Sequence, residues 1–310
     1  MLVLTALIWG SSFVAQKSGM DLIGPLAFNG VRTVIGGIVL IPAIGFLNRF
    51  KSGNDTGEDT AAPEKTEEDR KKERKNLLVG GICCGLFLMV ASNLQQIGIC
   101  YTTAGKAGFI TALYVVLVPI LGLFIRKKVR PVIWLCVAAS AIGLYLLCIP
   151  ADGGFGHLNK GDMMMPICAL LFALHILVID HFSPLVDGVK LSCIQFFVAG
   201  LLSLAFIWVD PLLGFDLPTF STLVSAWLPL LYAGVLSCGV AYTLQIVAQA
   251  DADPTVASMI LCLESVFAVL TGMVVLGEAL SVREAAGCVI MFAAIVVAQL
   301  PGKRSKETTL

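Results

Sequence analysis

The sequence predicts an all-α membrane protein: ten transmembrane helices arranged as two inverted five-helix repeats. The first observation is composition. Mean hydropathy is +0.90, 57% of residues are hydrophobic and 14% are charged, whereas a soluble domain carries about 25% charged residues, so the chain is short of groups with which to cover a water-facing surface. The second is length: the apolar stretches run to about 20 residues, enough to cross a bilayer core as a helix. The third is internal repetition. Residues 91–125 lie without a gap over 241–275 at a shift of 150, with identities at Ala91/Ala241, Leu94/Leu244, Gln95/Gln245, Ala107/Ala257, Ile110/Ile260, Leu113/Leu263, Val116/Val266 and Gly122/Gly272. In each copy an apolar run carrying a Gln ends in a short polar stretch, and a second apolar run follows. A period of 20–50 residues marks a solenoid; a period near half the chain, inside membrane spans, marks internal two-fold symmetry.

Taken in order, the spans fall near 2–19, 24–48, 77–99, 103–125, 131–149, 162–181, 188–209, 223–248, 254–276 and 283–300. The first begins at Leu2 with neither a basic n-region nor a small-residue cleavage site, so it reads as a retained helix rather than a signal peptide. Trp9, Ser11, Ser12 and Gln16 give it a small polar patch, suited to close packing or to a gate. Arg32 lies about two turns into the second span. Residues 49–75, polar and dense in both charge signs, cannot bury enough apolar surface to order themselves, although Glu67 to Lys75 extend the third span as a solvated helix through Glu/Lys pairs four apart. On the third span Ser92 and Gln95 share one stripe and Asn93 and Gln96 a second. The fourth carries Lys106 one turn in and Pro119 in its middle, which removes a backbone bond and predicts a kink. The fifth closes the first half, residues 1–150. His175 sits on the sixth span, and Tyr242, Gln245 and Gln249 stand at i, i+3 and i+7 on the eighth. Glu264 lies ten residues into the ninth, with Ala257, Ala268 and Thr271 on its face. The second half covers 151–301, and 302–310 form a tail.

Lys and Arg set the orientation. With the N-terminus inside, the cytoplasmic side receives the 49–75 loop, Arg126, Lys127, Lys128, Arg130, Lys190, Lys303, Arg304 and Lys306. The other side keeps Lys160, Arg283 and the near-interfacial Lys17 and Lys106, so both termini are expected in the cytoplasm. Five spans per half is an odd number, so the second half enters the membrane upside down. Accordingly Arg126-Lys127-Lys128-Val129-Arg130 is replaced in the second copy by Leu276-Gly277-Glu278-Ala279-Leu280, which has lost the positive charges. At the front of each half, residues 7–17 lie over 170–180 at a shift of 163, which also lays Arg32 on Gln195 and Gly37 on Gly200.

Trp9-Gly10-Ser11-Ser12-Phe13, Arg32, Thr103-Ala104-Gly105-Lys106-Ala107-Gly108-Phe109 with Pro119, Gly161-Asp162 and Gly277-Glu278-Ala279-Leu280, in this order and spacing, resemble the EamA-type transporters of the drug/metabolite transporter superfamily, relatives of the nucleotide-sugar and triose-phosphate translocators. The likeness covers nearly the whole chain except 49–75. It departs where the Gly-Glu turn that ends both family repeats gives way to Arg126-Lys127-Lys128 in the first. The resemblance implies a ten-helix exporter or importer of small metabolites that works by alternating access. The expectation taken from the chain as a whole is a secondary transporter of a small amino acid-like or similarly polar solute in a bacterial cytoplasmic membrane, with export the expected direction. The expected partners are the solute, the lipid bilayer, protons as a coupling ion and a second copy of the chain.

Polar groups that the bilayer makes expensive carry the chemistry. A charge at mid-bilayer costs several kcal/mol, so Arg32, Lys106 and Glu264 each need a partner or a wet cavity. Glu264 reads as a carboxylate for a substrate ammonium or a coupling proton; a permanent ion pair with Arg32 or Lys106, or a carboxyl kept neutral by desolvation, explains it equally. Tyr114 lies opposite Glu264 under the shift. Arg32 can clamp a carboxylate or phosphate with two parallel hydrogen bonds or serve as an ion pair. Lys106 can snorkel to the interface. Gln95, Gln245 and Tyr242 suit a central site related by the pseudo-two-fold, or helix–helix hydrogen bonds worth about 0.6 kcal/mol each. Asn93, Trp9, Ser12 and His175 complete the candidate set, His175 as a group that titrates near neutrality or as a hydrogen-bonded core residue.

Other classes find no footing. Net charge is zero, against a nucleic-acid surface. The ten cysteines are scattered through apolar runs without metal or disulfide spacing. No cofactor motif, Walker loop, metal-ligand cluster or Ser/His/Asp set is present, so catalysis and ATP-driven pumping lack support. A receptor or enzyme on the same helical bundle is the alternative; an enzyme needs a convergent nucleophile, acid or metal set.

Overall fold

A computed structural model describes residues 1–54, 66–101, 110–127, 129–149, 160–276 and 281–300, and all regular structure among them is helical. The first half holds α1 (Leu2–Met20), α2 (Pro25–Asn54), α3 (Glu67–Tyr101), α4 (Tyr114–Phe124) and α5 (Pro131–Cys148). The second half opens with α6 (Lys160–Phe182) and α7 (Gly188–Ala205). There follow α8 (Phe220–Ser225), α9 (Trp227–Leu231), a π-helix (Tyr232–Tyr242) and α10 (Thr243–Gln249). The last elements are α11 (Pro254–Leu261), α12 (Glu264–Leu276) and α13 (Val282–Gln299). Among the described residues six stretches are long and apolar enough to cross a membrane: Pro25–Phe46, Glu67–Tyr101, Met163–Leu185, Gly188–Ala205, Trp227–Gln249 and Pro254–Thr271. Ile110–Phe124 and Pro131–Leu147 are shorter apolar helices.

Local sequence explains several helix starts. Asp187 accepts from the backbone N–H groups of Val189 and Lys190 to cap α7, and Asp253 caps α11, with Pro254 in the first turn. Ser281 and Glu284 form a reciprocal capping box on α13. The solvated extension of α3 is as expected: it begins at Glu67, and Lys71 lies 3.9 Å from Glu67 with both side chains exposed. The polar loop is narrower than expected, because α2 runs on to Asn54.

Three of the expected spans are interrupted. The eighth span is not one α-helix: short turns lead into a π-helix in mid-span. The ninth is interrupted at Cys262 and Leu263, so Glu264 opens α12 rather than sitting mid-helix. In the fourth, α4 passes through Pro119, and the interruption falls at Leu113. Leu113 and Leu263 are separated by the repeat shift, and their bonds match. Leu113 N donates to Ile110 O and Leu263 N to Ile260 O, while Leu117 N donates to Leu113 O and Phe267 N to Leu263 O. Lys106 and the Gly277–Leu280 turn lie outside the described residues.

The helices pack through small residues, as membrane bundles do without a hydrophobic drive between them. Helix α2 packs on α7, α3 on α6 and α7, and α5 on α13, while α1 lies against α12 and the π-helix. At the α5–α13 crossing, a Cβ on Gly143 would fall 2.8 Å from Gly287 O, and one on Gly287 2.5 Å from Gly143 O. Helix α1 comes close to the backbone of α12 at Gly10, where a Cβ would stand 2.5 Å from Glu264 O and 2.7 Å from Ala268 N. That glycine brings the polar patch of α1 against the start of α12.

Candidate functional site

These contacts border a cavity of about 50 Å³ between the two halves. Its lining includes nine of the ten residues singled out from the sequence: Trp9, Ser12, Arg32, Gln95, Tyr114, His175, Tyr242, Gln245 and Glu264. Asn93 is the exception. It is buried in a polar network behind the wall, where it meets Asn29 and Ser203. The stripe geometry placed it near the site, but side-chain direction on α3 turns it toward α2 and α7.

Many lining residues come in pairs under the two repeat shifts. Gln95 and Gln245, Tyr114 and Glu264, and Thr111 and Leu261 are 150 apart; Trp9 and Phe172, Ser12 and His175, and Phe13 and Ile176 are 163 apart.

Glu264 is buried, and its hydrogen-bond partner is the Tyr114 hydroxyl, which donates to Oε1 at 3.3 Å. Among the described residues it forms no ion pair, so the permanent Arg32 pairing entertained from the sequence is not what holds it. Arg32 is also buried; its Nε donates to Asn29 Oδ1 at 3.1 Å, and its guanidinium carbon lies 5.6 Å from the Phe28 ring centroid. Two ionisable groups of opposite sign therefore border one space without contacting each other.

The remaining wall is polar and aromatic. The Trp9 and Tyr242 ring centroids are 4.5 Å apart, and Trp9 Nε1 donates to Ser237 O at 3.2 Å. With Thr5 Oγ1 donating to Ala241 O at 3.1 Å, α1 is stitched to carbonyls of the π-helix, an irregular geometry frequent at functional sites. His175 Nε2 lies 3.1 Å from Gln195 Oε1, so the core-bonded reading of this histidine describes its geometry. Gln245 Nε2 donates to Gln249 Oε1 at 2.8 Å, and Gln249 Nε2 to Ile176 O at 3.3 Å. Among the described residues Gln16 Oε1 and Gln245 Oε1 have no protein partner.

Several lining residues were not singled out as candidates: Phe13, Gln16, Thr111, Phe172, Ser237 and others. Phe172 could have been found as the counterpart of Trp9 under the 163 shift. Ser237 carried no sequence signal, because the π-helix changes which residues face inward. Asn29, three residues before Arg32, was within reach of the i, i+3 rule.

A helical membrane protein with a central cavity bordered by charged, amide and aromatic groups from both halves has the form of a membrane transporter. The model of the EamA-like transporter family matches residues 1–149 and 159–299, and the chain belongs to that family. An uncharacterized transporter of Archaeoglobus fulgidus is 32% identical over 302 residues, covering 96% of this chain and 84% of its own. The uncharacterized transporter YoaV of Bacillus subtilis is 21% identical, with 98% and 97% coverage. A protein of known crystal structure shares the fold at a TM-score of 0.71 and 19% identity, covering 96% of this chain and 95% of its own.

Proposed function

We propose that the chain is a secondary transporter that exports a small amino acid-like solute across a bacterial cytoplasmic membrane by alternating access. Ten spans in two inverted five-helix repeats, with both termini in the cytoplasm, would carry the process, and protons are the proposed coupling ion. The observation that carries this reading is the paired lining of the cavity. A residue that meets its own symmetry counterpart must lie next to the symmetry axis, and Tyr114 and Glu264 do so at 3.3 Å. The matched interruptions at Leu113 and Leu263 add weight, since broken helices at the repeat interface are where such transporters bind solute.

The chemistry follows from two ionisable groups of opposite sign, Arg32 and Glu264, that form no ion pair among the described residues. Arg32 suits a carboxylate and Glu264 an ammonium or a proton, so a zwitterion satisfies both. A cavity of about 50 Å³ holds only a few waters, each needing about 10–15 Å³. A solute of amino-acid size therefore enters only if one face widens, as rocking of one repeat against the other would allow.

The test is flux in proteoliposomes over a panel of amino acid-like solutes. Gln95→Ala and Gln245→Ala should each lower flux with folded yield nearly unchanged, and cysteines placed at 55–62 should be shielded from impermeant thiol reagents in intact cells. Absence of flux for the whole panel, or flux indifferent to Glu264→Gln and Arg32→Gln together, overturns the reading.

A further inference from the structure

The cavity wall contains one side chain whose hydrogen-bonding capacity is conspicuously underused. Arg32 has five N–H donors in a planar fork. Only Nε has a protein partner, Asn29 Oδ1; Nη1 and Nη2 have none among the described residues, although Arg32 is 6% exposed. A buried guanidinium with an open edge on a cavity is costly unless something fills that edge.

The polarity of the contact with Asn29 is fixed by groups behind it. Ser203 Oγ donates to Ala199 O at 2.8 Å, and a carbonyl can only accept. Ser203 therefore accepts from Asn93, whose Nδ2 lies 2.9 Å away. That turns Asn93 Oδ1 toward Asn29, which must offer Nδ2 at 2.7 Å. Ser92 gives the same answer, since its Oγ donates to Leu88 O at 2.6 Å and accepts from Asn29 Nδ2 at 2.9 Å. Asn29 Oδ1 is then left for Arg32. The network joins α2, α3 and α7 and is satisfied at these contacts, which is the condition for a buried polar network to be rigid. It holds the Nε side of Arg32 and leaves the Nη edge on the cavity.

We propose that the Nη1/Nη2 edge of Arg32 is the binding site for an anionic group on the solute, a carboxylate or a phosphate, and that Asn29 is the residue that positions it. A planar two-donor edge matches two oxygens of either anion. The assignment rests on the reading of the central cavity as the transport site. Asn93 and Ser203 act one step further back, setting the orientation of Asn29.

The experiment uses the purified full-length protein in detergent and reads melting temperature against acetate and, separately, inorganic phosphate, with chloride making up the ionic strength. Bound anion raises the melting temperature by mass action, and the anion that acts at lower concentration identifies the group. Arg32→Gln should abolish the rise, and Arg32→Lys, which keeps the charge but not the fork, should weaken the affinity about tenfold. Asn29→Asp keeps the acceptor but adds a charge that occupies the guanidinium, and should also abolish it. Asn29→Ala removes the bonds to Ser92 and Asn93 and so lowers the melting temperature in both backgrounds, but it should also weaken the anion affinity where Arg32 is present. A merely structural Asn29 would lower the melting temperature in both backgrounds and leave the anion dependence intact. A wild-type protein insensitive to both anions, or an Arg32→Gln protein as sensitive as wild type, overturns the assignment. Flux that depends on Glu264 without any anion binding sinks this assignment alone; anion binding at Arg32 without flux sinks the transport reading alone.

Discussion

Tyr114 donates its hydroxyl to Glu264 at 3.3 Å, and the two residues stand at equivalent places, 150 apart, in the two copies of the sequence repeat. The bond gives the carboxylate one protein partner and leaves the rest of its capacity to the cavity. Tyr114→Phe strands a buried carboxylate, which costs about 1–3 kcal/mol, and should lower both melting temperature and flux. Glu264→Gln keeps an oxygen for Tyr114 and should stay folded while losing net flux or its pH dependence. With no Arg32 ion pair to break, it should not show the loss of about 3–5 kcal/mol expected for an orphaned buried charge. Unchanged transport by a stable Glu264→Gln protein removes the carboxylate from the mechanism.

Gly10→Ala should be disproportionately harmful. The atoms in its way are backbone, Glu264 O and Ala268 N, so α1 must move off α12 at a cost of about 1–3 kcal/mol. That displacement also carries Trp9 and Ser12 away from Glu264. Gly143→Ala creates a comparable clash against Gly287 far from the lining. It should lower the melting temperature while leaving flux per folded molecule close to wild type; equal flux losses in the two variants would contradict this.

Asp210 ties the segment after α7 to the start of α2. It is fully buried and accepts from Leu26 N at 3.0 Å and Ala27 N at 2.9 Å, an N-terminal cap supplied from a distant part of the chain. Asp210→Ala should cost about 0.5–2 kcal/mol. Burial pushes this carboxyl above its ordinary range, with the two N–H groups pulling it back. A raised folded-state pKa means that the folded protein holds the proton more tightly, so the contribution is fully present below about pH 4 and declines as pH rises through the shifted value. The melting gap between wild type and Asp210→Ala should narrow from pH 4 to pH 7; a widening gap would show the charged cap to be the stabilising form.

Lys127, just after α4, pairs with Asp180 near the end of α6, joining the two halves at one edge of the bundle. The lysine is 36% exposed, so solvent screening limits the pair to about 0.2–1 kcal/mol. Lys127→Asp and Asp180→Lys should each destabilise slightly, and the double swap should recover most of the loss. A denaturation cycle in which the double mutant equals the sum of the singles shows that the pair contributes nothing.

The membrane class was decided by composition alone, because a chain this poor in charged residues cannot cover itself in water. The repeat was visible because hydropathy and the spacing of Gln residues survive where identities do not. Arg32, Glu264, Gln95 and Gln245 stood out because a bilayer makes polar groups costly and therefore rare. Only the tertiary structure decided the partners. From the sequence Glu264 could have met Arg32, and its contact with Tyr114 instead depends on how α4 and α12 approach, with α1 held close to α12 through Gly10. Asn93 and Gln95 are two residues apart on α3, yet one supports the wall and the other lines it, a difference set by what packs behind α3. The π-helix that exposes Ser237, and the cap that Asp210 lends to α2 from 184 residues away, have no local signature. Both are settled by contacts between segments that the chain order leaves far apart.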